Sequence, residues 1–254
     1  MRYQVLLGFA VALIVGCGSS VPEPKPKNDD KHETSHGTNH TDHAGKTAAY
    51  ELMVSSDPAE FFAGKPAALS FMIHDQTGAM LKQYETVHEK QIHLILVREG
   101  LDHFAHVHPE VFPSGTFKTT FTFPLGGTYR LYADFKPTTG KQSLAIAQVK
   151  VAGDAPKAAP LEPNVPGNVA GNGLAATITI DKMASPLEAK ITFDIRDNTG
   201  EVVKDLQPYL GAMGHLVVLS ADGTQFVHAH PLENASAAQG KVSFEAHFPS
   251  PGLY

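Results

Sequence analysis

Three histidines fall within seven residues in HFAHVHP, residues 103–109, and FVHAHP at 226–231 repeats the pattern. Each pair is preceded at one fixed distance by a further histidine. His93 stands before His106 and His108, and His215 before His228 and His230, so H-x12-H-x-H occurs twice. Three imidazoles suit Zn²⁺ or Cu²⁺ through Nδ1 or Nε2. The chain has 14 histidines and 1 cysteine, so its metal chemistry is histidine-led and an internal disulfide is excluded. A blue-copper centre is excluded as well, because it needs a thiolate in addition to two imidazoles, and Cys17 has another use described below. Met213, two residues before His215, is an auxiliary thioether candidate for Cu(I). Its counterpart is Gln91, and a methionine in a strand more often serves packing.

The elements that must position these side chains read as strands. YELMVS, ALSFMIHD, IHLILVRE, FKTTFTFP, YRLYADF and LAIAQVKV are rich in β-branched, aromatic and aliphatic residues. They are separated by turn residues at the spacing of an all-β sandwich. Residues 91–98 and 103–108 are two runs joined by Glu99-Gly-Leu-Asp102, and 213–220 and 225–230 are joined by Ala221-Asp-Gly-Thr224. Four-residue connections of this kind make antiparallel hairpins. Pairing Arg98 with His103 makes opposed positions add to 201 and puts His93 opposite His108. Pairing Ser220 with Gln225 makes the sum 445 and puts His215 opposite His230. Opposed Cβ atoms lie ~4.5–5.5 Å apart, and His106 and His228 join the same faces through the two-residue alternation of a strand. Each hairpin face is therefore expected to carry three clustered imidazoles.

Two readings of such a cluster stand side by side. In one, each triad holds an ion, Cu or Zn, and binding weakens as pH drops through about 6, where free imidazole takes up a proton. In the other, the histidines form a hydrogen-bonded polar ladder and each His-Pro simply ends its strand. His88 and His103 align with Leu210 and Gln225 and are expected at the surface. The chain carries no Gly-x-Ser-x-Gly, His-Glu-x-x-His or phosphate-cradling glycine loop, so an enzyme is not expected.

The hairpins belong to an internal repeat. Asp75-Gln-Thr-Gly78 matches Asp197-Asn-Thr-Gly200, and His93-Leu94 matches His215-Leu216, at an offset of 122 residues (75 to 197, 93 to 215). Phe123-Pro124 and Gly127-x-Tyr129 match Phe248-Pro249 and Gly252-x-Tyr254 at an offset of 125 (123 to 248). Two tandem immunoglobulin-like antiparallel β-sandwiches are predicted, at 48–152 and 174–254. The segment 153–173 between them, with four prolines and four glycines, reads as a linker. Residues 130–151 of the first repeat have no counterpart after Tyr254. The second sandwich is therefore expected to lack its last two strands, as a fragment or with another element covering its sheet.

The N-terminus points outside the cytoplasm. Arg2 precedes an apolar run of 11 residues, Val5 to Val15, which is too short to span a bilayer at ~20 residues and reads as an export signal. Ile14-Val15-Gly16-Cys17 resembles the bacterial lipobox, which implies a signal peptide over 1–17, acylation of Cys17 and a membrane anchor. Residues 18–47 are almost free of apolar side chains and are expected to be a disordered tether. His32, His36, His40 and His43 within it are a candidate low-affinity metal trap. With a formal charge of −6 and no long basic run, the chain offers no footprint for nucleic acid. The chain as a whole is 42% hydrophobic, ample for globular cores.

IHLILVREGLDHFAHVHP followed by FPLGGTYRLYADF, and GHLVVLSADGTQFVHAHP followed by FPSPGLY, resemble in pattern the uncharacterised bacterial secreted proteins with YtkA-like and FixH-type β-sandwich domains. The resemblance covers both repeats and carries no site residue over. It implies an architecture similar to extracytoplasmic copper carriers with immunoglobulin-like sandwiches, and so metal handling. The resulting expectation is an extracytoplasmic lipoprotein, held at the cell membrane, or at the outer membrane where there is one, that binds or delivers Cu or Zn. The alternative is an adhesion or assembly module that meets another envelope protein without metal.

Overall fold

The computed structural model describes residues 49–161, 168–171, 174–182, 187–208, 210–232 and 239–254. For 168–171, 182, 228, 230 and 231 it describes the backbone alone. Cys17 and the tether histidines His32, His36, His40 and His43 lie outside these residues. Among the described residues the protein is all-β, as expected from the short, β-branched runs.

The first repeat contains β1 (Tyr50–Asp57), β2 (Phe61–Phe62), β3 (Pro66–Asp75), β4 (Ile92–Arg98), β5 (Phe104–Val107), β6 (Glu110–Val111), β7 (Phe117–Thr122), β8 (Gly127–Phe135) and β9 (Ser143–Ala152). They form a sandwich of a four-stranded sheet, β1-β3-β7-β6, on a five-stranded sheet, β2-β9-β8-β4-β5. Alternation of side chains explains the core: Ala67, Leu69, Phe71 and Ile73 of β3 point inward and meet Leu94, Leu96 and Leu131 from the opposite sheet. Tyr129 Oη donates to the carbonyl of Leu125 at 3.0 Å, the corner contact found where a strand enters an immunoglobulin-like sheet.

The second repeat contains β10 (Asn168–Gly171), β11 (Leu174–Lys182), β12 (Glu188–Asp197), β13 (Leu216–Leu219), β14 (Phe226–Pro231) and β15 (Lys241–His247). Its local devices copy those of the first. Asp75 Oδ1 accepts from the backbone and hydroxyl of Thr77 at 2.8 and 2.6 Å, and Asp197 Oδ1 accepts from Thr199 at 2.9 and 2.6 Å. These hydrogen bonds, the Thr hydroxyl first, hold both carboxyls below the usual aspartate range. Tyr254 Oη donates to Ser250 O at 2.9 Å, as Tyr129 does to Leu125.

The two repeats nonetheless differ in sheet connectivity. Between β5 and β6 the first chain segment leaves one sheet for the other, whereas β14 runs straight on and pairs with both β13 and β15. The described strands of the second repeat therefore form one six-stranded sheet, β10-β11-β12-β15-β14-β13, rather than two. Strands equivalent to β8 and β9 are not among the described residues. The proposed linker also needs revision: its residues 168–171 are β10, paired with β11. Its start is fixed to the first repeat, where Gly126 N donates to Asp154 O at 2.7 Å and the buried Arg98 donates to Pro156 O.

The position of β4 matters most for function, because all seven of its residues are buried. Leu94 and Leu96 face the core of the first sandwich. Ile95 and Val97 face the other way, and with Tyr132 they pack against Val217, Leu219 and Phe226 of the second repeat. The two repeats thus meet through the outer faces of their histidine hairpins. Tyr132 Oη donates to Gly223 O at 2.5 Å, and Arg130 donates to Asp222 O.

Candidate metal centre

Both hairpins have the expected register. Leu94 opposes Val107 and Ile95 opposes His106, while Leu216 opposes Ala229 and Val217 opposes His228. Arg98 N donates to His103 O, and Ser220 N to Gln225 O, both at 3.0 Å. His93 and His108 consequently meet just beyond the last ladder pair of the first hairpin.

The geometry of the first triad is compact. His93 Nδ1 lies 3.2 Å from His106 Nε2 and 3.2 Å from His108 Nε2. One nitrogen from each ring falls within 4.8 Å of the other two. Tetrahedral coordination at a metal–nitrogen distance of ~2.05 Å places neighbouring ligand atoms ~3.3 Å apart, so the observed separations match a shared ion. His93 Nε2 lies 2.9 Å from the carbonyl of Val87. A carbonyl can only accept, so Nε2 carries the proton and Nδ1 turns its lone pair toward the other two rings. Metal-ligating imidazoles are commonly oriented by such a bond.

Burial and neighbouring charges keep two of the three rings, His106 and His108, neutral. Burial, and then the neighbouring His108, His93 and His215, pulls the pKa of His106 down to about 3. Burial, then His93, Lys90 and His215, pulls that of His108 down to about 4. Both rings hold free lone pairs at neutral pH, the form that coordinates a metal.

Two histidines join this cluster against expectation. His88, expected at the surface, lines a cavity of about 30 Å³ with His93, His106 and His215. His215 was placed in a separate triad of the second repeat, yet its ring centroid lies 5.0 Å from His88, 6.2 Å from His93 and 6.4 Å from His106. The missed signal was the uninterrupted apolar pattern of Ile92–Val97 around His93. Such a run marks a strand covered on both faces, so the histidine face had to meet another layer. His228 and His230 stand on β14 opposite Val217 and Glu245, and their side chains are outside the description. Met213 packs against the second core, which is the packing role. His103 sits at the hairpin turn with partial exposure.

A family profile described as "Domain of unknown function (DUF8832)" matches residues 45–153 and 168–254. The chain belongs to this family. The two matched segments of this DUF8832 protein coincide with the two repeats, and no curated protein matches it. Among solved structures it is similar to FdeC, an adhesin of Escherichia coli, at 14% identity and a TM-score of 0.28, covering 80% of this chain and 57% of that one. It is also similar to the sporulation control protein Spo0M of Bacillus subtilis, at 14% identity and a TM-score of 0.26, covering 59% and 80%. A third, TarS of S. aureus, is 8% identical with a TM-score of 0.23, covering 77% and 35%. The DUF8832 chain thus spans little more than half of the adhesin chain.

Proposed function

We propose that this protein is an extracytoplasmic, lipid-anchored metal-binding protein that holds or delivers Cu or Zn through His93, His106 and His108. The convergence of three imidazole nitrogens, two of them at 3.2 Å from the third, carries this reading. The carbonyl of Val87 supports it by fixing the tautomer of His93. A purely structural ladder would pair each nitrogen donor with one acceptor, whereas two Nε2 atoms here address a single Nδ1 lone pair. The resemblance to YtkA-like and FixH-type domains adds to the same side, and the lipobox at Cys17 supports the anchor.

Tag-free protein, with His32, His36, His40 and His43 replaced by serine, should bind Cu²⁺ or Zn²⁺ in a titration. His106→Ala should weaken that binding by at least about 100-fold, since loss even of an outer-shell partner typically costs about 10- to 100-fold, while His103→Ala should leave it unchanged. Protein that takes up neither ion would return the reading to an adhesion or assembly module. For the anchor, wild type should partition into detergent and Cys17→Ser should not.

A further inference from the structure

The proposed site extends beyond the repeat that carries the triad. Three ring centroids separated by 5.4, 4.9 and 4.7 Å make up the His93–His106–His108 group. Imidazoles sharing a tetrahedral ion, with metal–nitrogen bonds of ~2.05 Å, have centroids ~5.2 Å apart. His215, from the other repeat, stands at 6.2 and 6.4 Å from two of these rings, roughly 1 Å beyond ligand spacing. A small side-chain rotation closes that gap. We propose that His215 is the fourth protein ligand of the same ion, so that a single transition-metal ion bridges the two repeats. This inference rests on the triad holding a metal.

Several observations favour His215 over the other nearby ring. His88 lies 6.3 Å from His93 and 5.0 Å from His215. It occupies a turn in which His88 and Glu89 have φ of 49° and 62°. Leu210 and Gly211 repeat that turn with φ of 49° and 72°, so the left-handed backbone belongs to the repeat and not to a metal. His215, in contrast, is aimed by the interface itself. Val217 and Leu219, two and four residues along the same strand face, pack on Ile95, Val97 and Tyr132. The alternation of the strand then carries the side chain of residue 215 to the same side. His88, His93, His106 and His215 line one cavity, which is large enough to admit an ion.

The consequence is a metal-dependent tie between repeats, and Zn²⁺ is the probe that tests it on the whole chain with the four tether histidines replaced. In the parent, Zn²⁺ should slow amide exchange in Leu216–Leu219 at least tenfold. In His215→Ala the triad should still bind Zn²⁺, about 10- to 100-fold more weakly, and the protection of Leu216–Leu219 should be lost. Co²⁺ put in place of zinc should show a four-nitrogen tetrahedral spectrum in the parent and a changed one in His215→Ala. His88→Asn, which suits the left-handed turn, should leave both readouts as in the parent. If His215→Ala keeps the parent's tightest affinity and Co²⁺ spectrum, or removes only a second, independent equivalent of metal, the bridging site is overturned while the triad stands. A parent that binds no Zn²⁺ overturns the zinc bridge, and one that binds neither Zn²⁺ nor Cu²⁺ overturns both readings.

Discussion

At the residue scale, burial decides the chemistry of the histidines. His106 and His108 have pKa values of about 3 and about 4, against ~6.5 for an unfolded imidazole. The folded protein therefore binds fewer protons than the unfolded chain in the window between these values. Stability contributed by the neutral rings is fully present above pH ~6.5 and is lost as pH falls from there toward 3–4, by up to ~1.4 kcal/mol per pH unit for each proton taken up. Urea denaturation of metal-free protein should show a lower midpoint at pH 5 than at pH 7, and His106→Ala should flatten that dependence. Protonation of His106 and His108 should therefore take nothing from metal affinity between pH 7 and 5. A midpoint independent of pH would mean that His106 is not buried in its neutral form. The sequence made the ligand types and their pairing readable through the hairpin offset. It did not reveal this depth, because burial of His106 depends on a layer contributed from more than a hundred residues away.

At the scale of elements, short-range chemistry was legible and sheet membership was not. The Asp-x-Thr-Gly turns and the Tyr129 and Tyr254 corners follow from residues within five positions of each other, which is why the repeat is legible in the sequence. Each corner hydroxyl makes a hydrogen bond to a carbonyl four residues back. Tyr129→Phe should therefore lower the stability of the protein by about 1 kcal/mol, the usual net worth of such a bond, with no effect on metal affinity, measured by urea denaturation and a Zn²⁺ titration. Whether β14 stays in one sheet with both β13 and β15, or splits as β5 and β6 do, depends on long-range partners. The identical His-Pro in both repeats could not distinguish these outcomes. Residues 168–171 were likewise read as linker because Gly and Pro flank them, although pairing with β11 makes them a strand.

At the scale of the whole molecule, the repeats are joined through Tyr132, which is fully buried and lies with its ring tilted at 5.5 Å from that of Phe226. Tyr132→Ala should cost about 3–5 kcal/mol through the cavity left behind. Tyr132→Phe, which loses only the bond to Gly223, should cost about 1 kcal/mol. A similar loss for both would show that the hydroxyl, and not the ring, secures the junction. The difference between neighbouring strands has a further consequence for the order in which the site comes apart. β4 lies between β8 and β5 with water on neither face, so it opens only with the molecule as a whole. β5 is an edge strand of its sheet and frays at a far smaller free energy. His93 rides on the stiff strand, while His106 and His108 ride on or just past the fraying one. If the proposed metal site is right, a bound ion would shed those two ligands first and stay longest on His93, so fluctuation of a single edge strand, and not unfolding, would set how readily it is released.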